Sequence, residues 1–243
     1  MLKQVYEIAR VVVVSSLRKN VITASLLIML PLLLAAWLFE VSNPGFQSGF
    51  VLDAGGGLMA FLAVVIIVVL SFEHLFWPSE QTTPWFYFSR QNSRILFPLG
   101  KFCGVSFVLI FVLGFFSLLL SLLIYFTSGS FLLFSFKAAF LVWLEYSVFF
   151  SVFVFFSTFL SRLMSVGMML PFFFMSHSLS YIKTILNYWV AEILLIFFPD
   201  AELFDVLLER GDAYSFLLLL AYSAFISLFY ITSAGLVLRQ KDL

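Results

Sequence analysis

Few side chains in this sequence are equipped for chemistry. Glu145 stands inside a long apolar run, Leu132 to Leu160. A carboxylate at membrane depth is costly when ionised and faces a cavity or a partner. Two roles are open to it. It could line a substrate path or exchange protons, or it could make a structural hydrogen bond, while protonated, to a Ser or Tyr on a neighbouring helix. The two histidines, His74 and His177, suggest a metal site, but they fall at the inner end of one apolar run and the outer end of another, so the membrane separates them and they are not expected to share an ion. Glu202, Asp205 and Glu209 share one face of a short amphipathic segment. That face could bind a cation or a periplasmic partner, or simply be solvated.

Other chemistries lack their residues. Gly55-Gly56-Gly57 has no following Lys and no preceding strand, so it is not a phosphate-binding loop. The single Cys103 rules out an intrachain disulfide, and no Cys/His cluster has zinc spacing. Neither Gly-x-Ser-x-Gly nor His-Glu-x-x-His occurs, and no Ser/His pair is expected within one leaflet. With 13 basic and 13 acidic residues the chain carries no nucleic-acid footprint.

The elements that hold these residues are membrane elements. The 243 residues are 63% hydrophobic and 11% charged, with mean hydropathy +1.12, a balance outside the globular range. A helix needs ~20 apolar residues to cross a ~30 Å hydrocarbon core. The pattern predicts an all-α membrane protein. Residues 1–20 form an amphipathic helix at the cytoplasmic surface, and residues 21–243 a six-span transmembrane domain. The spans cover about 21–39, 58–77, 100–126, 132–160, 163–179 and 214–238. Pro31 and Pro171 fall inside spans. Val11 to Val14 argues against helix locally, because β-branched residues lose rotamer freedom there. Residues 40–57, with Asn43-Pro44-Gly45 and the Gly triplet, read as an outer loop. Residues 180–213 read as a broken outer segment in which Asp200 N-caps a short helix ending before Gly211. Leu203, Phe204, Leu207 and Leu208 would be its apolar face. Gly100 with Gly104, and Ser117 with Ser121, are small-residue pairs of the type that lets helices approach.

The longest polar interruption, residues 78–99, joins the second and third spans. Its core and the residues just beyond read Glu80 to Lys101, EQTTPWFYFSRQNSRILFPLGK. Four consecutive aromatics, Trp85 to Phe88, exceed what a connector needs and suit either an interfacial belt or docking into a partner's cleft. The run resembles the cytoplasmic loop between the second and third spans of ABC-2 type transporter permeases. That pattern is an acid, a Thr-initiated apolar helix, Ser-x-Pro-x-Ser-Arg, and Gly-Lys after a few apolar residues. Glu80, Thr83, Ser89, Ser93, Arg94, Gly100 and Lys101 match it without a gap. Gln91 departs from it, standing where the family has Pro, and Pro84 follows the Thr, where a first helical turn accepts it. The Arg-x-Lys-Asp-Leu end is also similar to the family's.

Charge placement gives the orientation. With both termini cytoplasmic, ten of the thirteen Lys and Arg residues are inside and Lys137, Lys183 and Arg210 outside. The resemblance implies the transmembrane subunit of an ATP-driven exporter in a bacterial or archaeal cytoplasmic membrane. It would bind no cofactor itself. ATP and Mg would sit on a partner ABC ATP-binding subunit, which docks on Glu80, Thr83, Trp85, Phe86, Phe88, Ser93 and Arg94. A second permease copy, identical or related, would complete the path, with a periplasmic or extracellular accessory protein as a further partner. The chain would perform no bond chemistry. The alternative expectation is a proton-coupled secondary transporter using Glu145, though such folds show two similar halves and no internal repeat is visible here.

Overall fold

A computed structural model describes residues 2–18, 20–42, 50–74, 91–128, 134–185, 198–204 and 213–240. The described residues are all-helical. In chain order the helices are α1 (Leu2–Arg18), α2 (Val21–Ser42), α3 (Phe50–His74), α4 (Gln91–Ser128), α5 (Phe134–Phe156), α6 (Arg162–His177), α7 (Leu179–Ile185) and α8 (Ala213–Gln240). Five of them, α2, α3, α4, α5 and α8, are long and apolar enough to cross a bilayer. α6 is a shorter apolar helix, so five candidate spans stand where six were expected.

α5 is the centre of the bundle. Of its apolar stretch 72% is buried, against 22% for α2 and 33% for α8. Helices α3, α4, α6 and α8 all pack on it. Phe149, Phe150 and Phe153 of α5 meet Leu62, Ile66 and Leu70 of α3 and Val105, Leu109 and Phe116 of α4 in one core. A smaller cluster joins Leu141, Leu144 and Val148 to Leu219 of α8 and to Phe204. Serines bridge the helices at intervals. Ser106 Oγ of α4 lies 3.1 Å from Ser147 Oγ of α5, and Trp143 Nε1 donates to the Ser106 carbonyl and hydroxyl, each at 3.0 Å. Ser121 pairs with Ser135 nearer the helix ends, so one member of the Ser117/Ser121 pair does bind across helices.

Several expected boundaries move. Gly55, Gly56 and Gly57 lie within α3, not in an outer loop. Their apolar neighbours carry the helix, and at Gly55 the missing side chain makes room for Leu120, whose methyl carbons would stand 2.7 Å from a Cβ there. α2 extends to Ser42, and Glu40 Oε2 accepts the Val51 amide at 2.8 Å. This satisfies one of the amides that a helix start leaves without an intrahelical partner. The third span begins nine residues before Gly100, at Gln91, and continues across Pro98 for 38 residues. α2 likewise continues across Pro31 and α6 across Pro171.

α1 is helical through Val11–Val14 because tertiary packing outweighs the weak propensity. It is also not simply a surface helix. Gly100 and Gly104 open a groove on α4 into which Ile8 and Val12 press. A Cβ at Gly104 would stand 2.7 Å from Val12 Cβ and 2.9 Å from the Ala9 carbonyl oxygen. Val12 and Ser16 are consequently fully buried, while Tyr6 and Leu17 remain exposed. Asn20, between α1 and α2, has a φ of 56°, the left-handed conformation that Asn tolerates better than most residues.

Candidate functional site

The sequence singles out two places, the segment after α3 and Glu145. Glu80, Thr83, Trp85, Phe86 and Phe88 lie outside the described residues, as do Asp205 and Glu209 of the acidic face. Ser93 and Arg94 fall in the first turn of α4, so they are continuous with a spanning helix rather than part of a separate loop. Deeper on the same helix, Lys101 Nζ sits 5.2 Å from the Phe97 ring centroid. A ring face attracts an ammonium and makes burial of the lysine stem less costly.

α1 meets both ends of that segment. It lies along α4 through Gly100 and Gly104, and it meets α3 at its last residue. His74 Nε2 is 3.2 Å from Ser15 Oγ and 3.5 Å from Ser16 Oγ. This is a Ser/His contact of the kind the sequence reading did not expect, because residues about sixty positions apart carry no spacing signal. Its polarity is wrong for activating a nucleophile. Ser15 donates its one proton to the Val12 carbonyl at 2.9 Å, and Ser16 donates to the same oxygen at 2.7 Å. The hydroxyls are therefore acceptors toward His74, whereas a general base must accept the hydroxyl proton. Glu73 Oε2 lies 3.7 Å from the same His74 nitrogen.

Glu145 lies on α5 with 8% of its surface exposed. Its Oε1 is 3.1 Å from His177 Nε2 at the last turn of α6. The expected partner was a Ser or Tyr; the contact found is histidine. The His177 ring is held by its own helix and by aromatics. Nδ1 is 3.1 Å from the Phe173 carbonyl, the Phe149 ring stacks at 5.8 Å with a 10° interplanar angle, and the Phe173 ring is 4.1 Å away. The helical register explains this arrangement. Phe149 is one turn beyond Glu145 on α5 and Phe173 one turn before His177 on α6, so each helix contributes an ionisable group and a ring on one face.

Next to this pair, residues 198–204 close over the end of α6. The Ala201 amide donates to the Ser176 carbonyl at 3.3 Å, and the Asp200 amide donates to Tyr222 Oη of α8 at 2.8 Å. Asp200, expected as a helix N-cap, is buried. A helical turn does begin at Glu202, with Phe204 inward but Leu203 exposed. His74 and His177 lie on separate contacts, and among the described residues no group of three His, Cys, Asp or Glu side chains could hold a metal ion. No protein-family model matches this chain, and no curated protein matches it in sequence.

Proposed function

We propose that this chain is the membrane-spanning permease subunit of an ATP-driven ABC transporter of the ABC-2 type, acting as an exporter. In this reading α6 is the sixth span, short and closed over by residues 198–204, and both termini are cytoplasmic. Two copies, or one copy with a related subunit, form the path in a bacterial or archaeal cytoplasmic membrane. A separate ATPase carries ATP and Mg and docks on the segment from Glu80 to Arg94. The chain itself does no bond chemistry.

The observation that carries the reading is the continuity of α4. At ~1.5 Å per residue, its 38 residues reach ~57 Å, well beyond a ~30 Å hydrocarbon core. Ser93 and Arg94, two residues of the family-like run, stand on the projecting first turn. A force applied there is delivered to the spanning part along one helix that continues across Pro98. The α1 helix, seated on α4 and touching His74, ties the two ends of the segment together, as a lever requires.

The test is co-expression with the ATP-binding cassette protein encoded nearest this chain. The proposal expects a stable complex whose ATP hydrolysis in proteoliposomes depends on this subunit. A chain that binds no such ATPase and moves solute down an imposed proton gradient by itself would instead be the secondary transporter using Glu145.

A further inference from the structure

We propose that Glu145 and His177 form a proton-binding site shared between α5 and α6, holding one proton at neutral pH and taking up a second on acidification. The ligand is the proton itself, and the site does not depend on which transporter class the chain belongs to.

The argument follows from which atoms can carry hydrogen. A carbonyl oxygen only accepts, so His177 Nδ1, 3.1 Å from the Phe173 carbonyl, is the protonated nitrogen. In the neutral ring Nε2 is then bare. It faces Glu145 Oε1 at 3.1 Å. A bare nitrogen and an ionised carboxylate at that distance would place two electron-rich atoms together inside a bundle that screens them poorly. One proton removes the conflict, either on the ring as an imidazolium–carboxylate pair or on the acid as an imidazole–carboxylic acid pair. Both forms have net charge zero. Adding a proton to either gives an imidazolium beside a neutral acid, with net charge +1. The two groups titrate as a unit, so the steps belong to the pair.

The surroundings fit a proton better than a metal. Two ligating side chains are too few for a bound ion, and the described residues offer no third. The stacked Phe149 ring presents a π-face that favours a cationic imidazole. The His177 side chain is 31% exposed while that of Glu145 is 11% exposed, so the histidine is the more accessible member of the pair. Other ionisable groups belong to this end of the bundle. They are Glu40 of α2, Asp53 of α3, Tyr125 of α4, Lys137 and Tyr146 of α5, Tyr181 and Lys183 of α7, Asp200 and Glu202, and Tyr214 and Tyr222 of α8. Glu73, His74, Lys101, Cys103, Arg162, Tyr230 and Arg239 belong to the other.

The experiment is pH-difference infrared spectroscopy of the full chain in lipid nanodiscs, for the parent, Glu145→Gln and His177→Gln. In the parent, acidification should raise a protonated-carboxyl C=O band from the imidazolium–carboxylate form, or shift that band from the imidazole–acid form, and Glu145→Gln should lose the change. His177→Gln removes the group with which Glu145 shares its proton and should move the pH at which the band changes. Nitrogen NMR of the parent's labelled histidines gives a second readout that needs no variant. It should find one ring at neutral pH that is either imidazolium or protonated on Nδ1 alone. Identical difference spectra for parent and Glu145→Gln overturn the proposal. So does a parent in which both rings carry the neutral Nε2–H tautomer.

Discussion

Replacing Gly104 with Ala should drive α1 away from α4. A new Cβ would meet Val12 Cβ at 2.7 Å, the Ala9 carbonyl oxygen at 2.9 Å and Ala9 Cα at 3.1 Å. Two of these are backbone atoms, which cannot turn aside as a side-chain tip can. Overpacking of this kind costs ~1–3 kcal/mol. Against it stands the gain of ~1 kcal/mol when a helical glycine becomes alanine. The net is a loss of roughly 0–2 kcal/mol, concentrated at the α1–α4 seam. Gly114, on the same helix, has nothing within 4 Å of its Cβ position, so Gly114→Ala should keep the propensity gain. The measurement is the thermal midpoint of detergent-solubilised protein by fluorescence-detected gel filtration. It is paired with the rate of disulfide formation between cysteines placed on the facing sides of α1 and α4 in a background lacking Cys103. Gly104→Ala should lower the midpoint below that of Gly114→Ala and slow the cross-link. Equal midpoints and equal cross-linking would show that α1 is not seated in the glycine groove.

Three further outcomes follow from other parts of the molecule. Cysteine probes at Gln47 and Asp212 should react with an impermeant reagent added outside while one at Gln91 does not; a reactive outer probe at Gln91 refutes the orientation. Phe86→Ala with Phe88→Ala should cut recovery of the ATPase per inserted subunit, since truncating an anchor aromatic can cost ~2 kcal/mol or more, and Arg94→Glu should do the same through charge. Undiminished recovery in both would make the segment a connector. Glu40→Ala removes the carboxylate that accepts the Val51 amide and should lower stability by ~1 kcal/mol, whereas Glu40→Gln should retain most of it; equal losses would mean that the bond contributes nothing.

The sequence made the spans visible because their signal is local, a count of apolar residues against bilayer thickness. It misplaced the start of α3 because Gly55-Gly56-Gly57 reads as a breaker unless the neighbouring Leu120 is known. It made Gly100 and Gly104 visible as a pair but not their partner, since α1 lies about ninety positions earlier. The pairing of Glu145 with His177 could have been anticipated from depth. Counting from the turn between α5 and α6, Glu145 is eleven residues back from Phe156 and His177 fifteen residues on from Arg162. At ~1.5 Å per residue the two differ by little more than one turn in height. What depth could not supply is azimuth, which the packing of Phe149 and Phe173 sets. Of the seven residues proposed for docking, five, from Glu80 to Phe88, lie outside the described residues; their assignment rests on the aromatic run and on resemblance.

The glycine groove also has a consequence for the order of assembly. α1 leaves the ribosome well before its seat does, because Gly100 follows Ile8 by roughly 90 residues. At ~5–20 residues per second the helix waits for seconds to tens of seconds with Val12 and Ser16 uncovered. Its amphipathic face gives it a place to wait, the lipid–water interface. The surface-helix pattern in the sequence and the docked helix in the structure then describe one segment at two moments of biosynthesis. A nascent chain arrested before Gln91 should keep α1 open to protease, and one arrested after α4 has inserted should shield it.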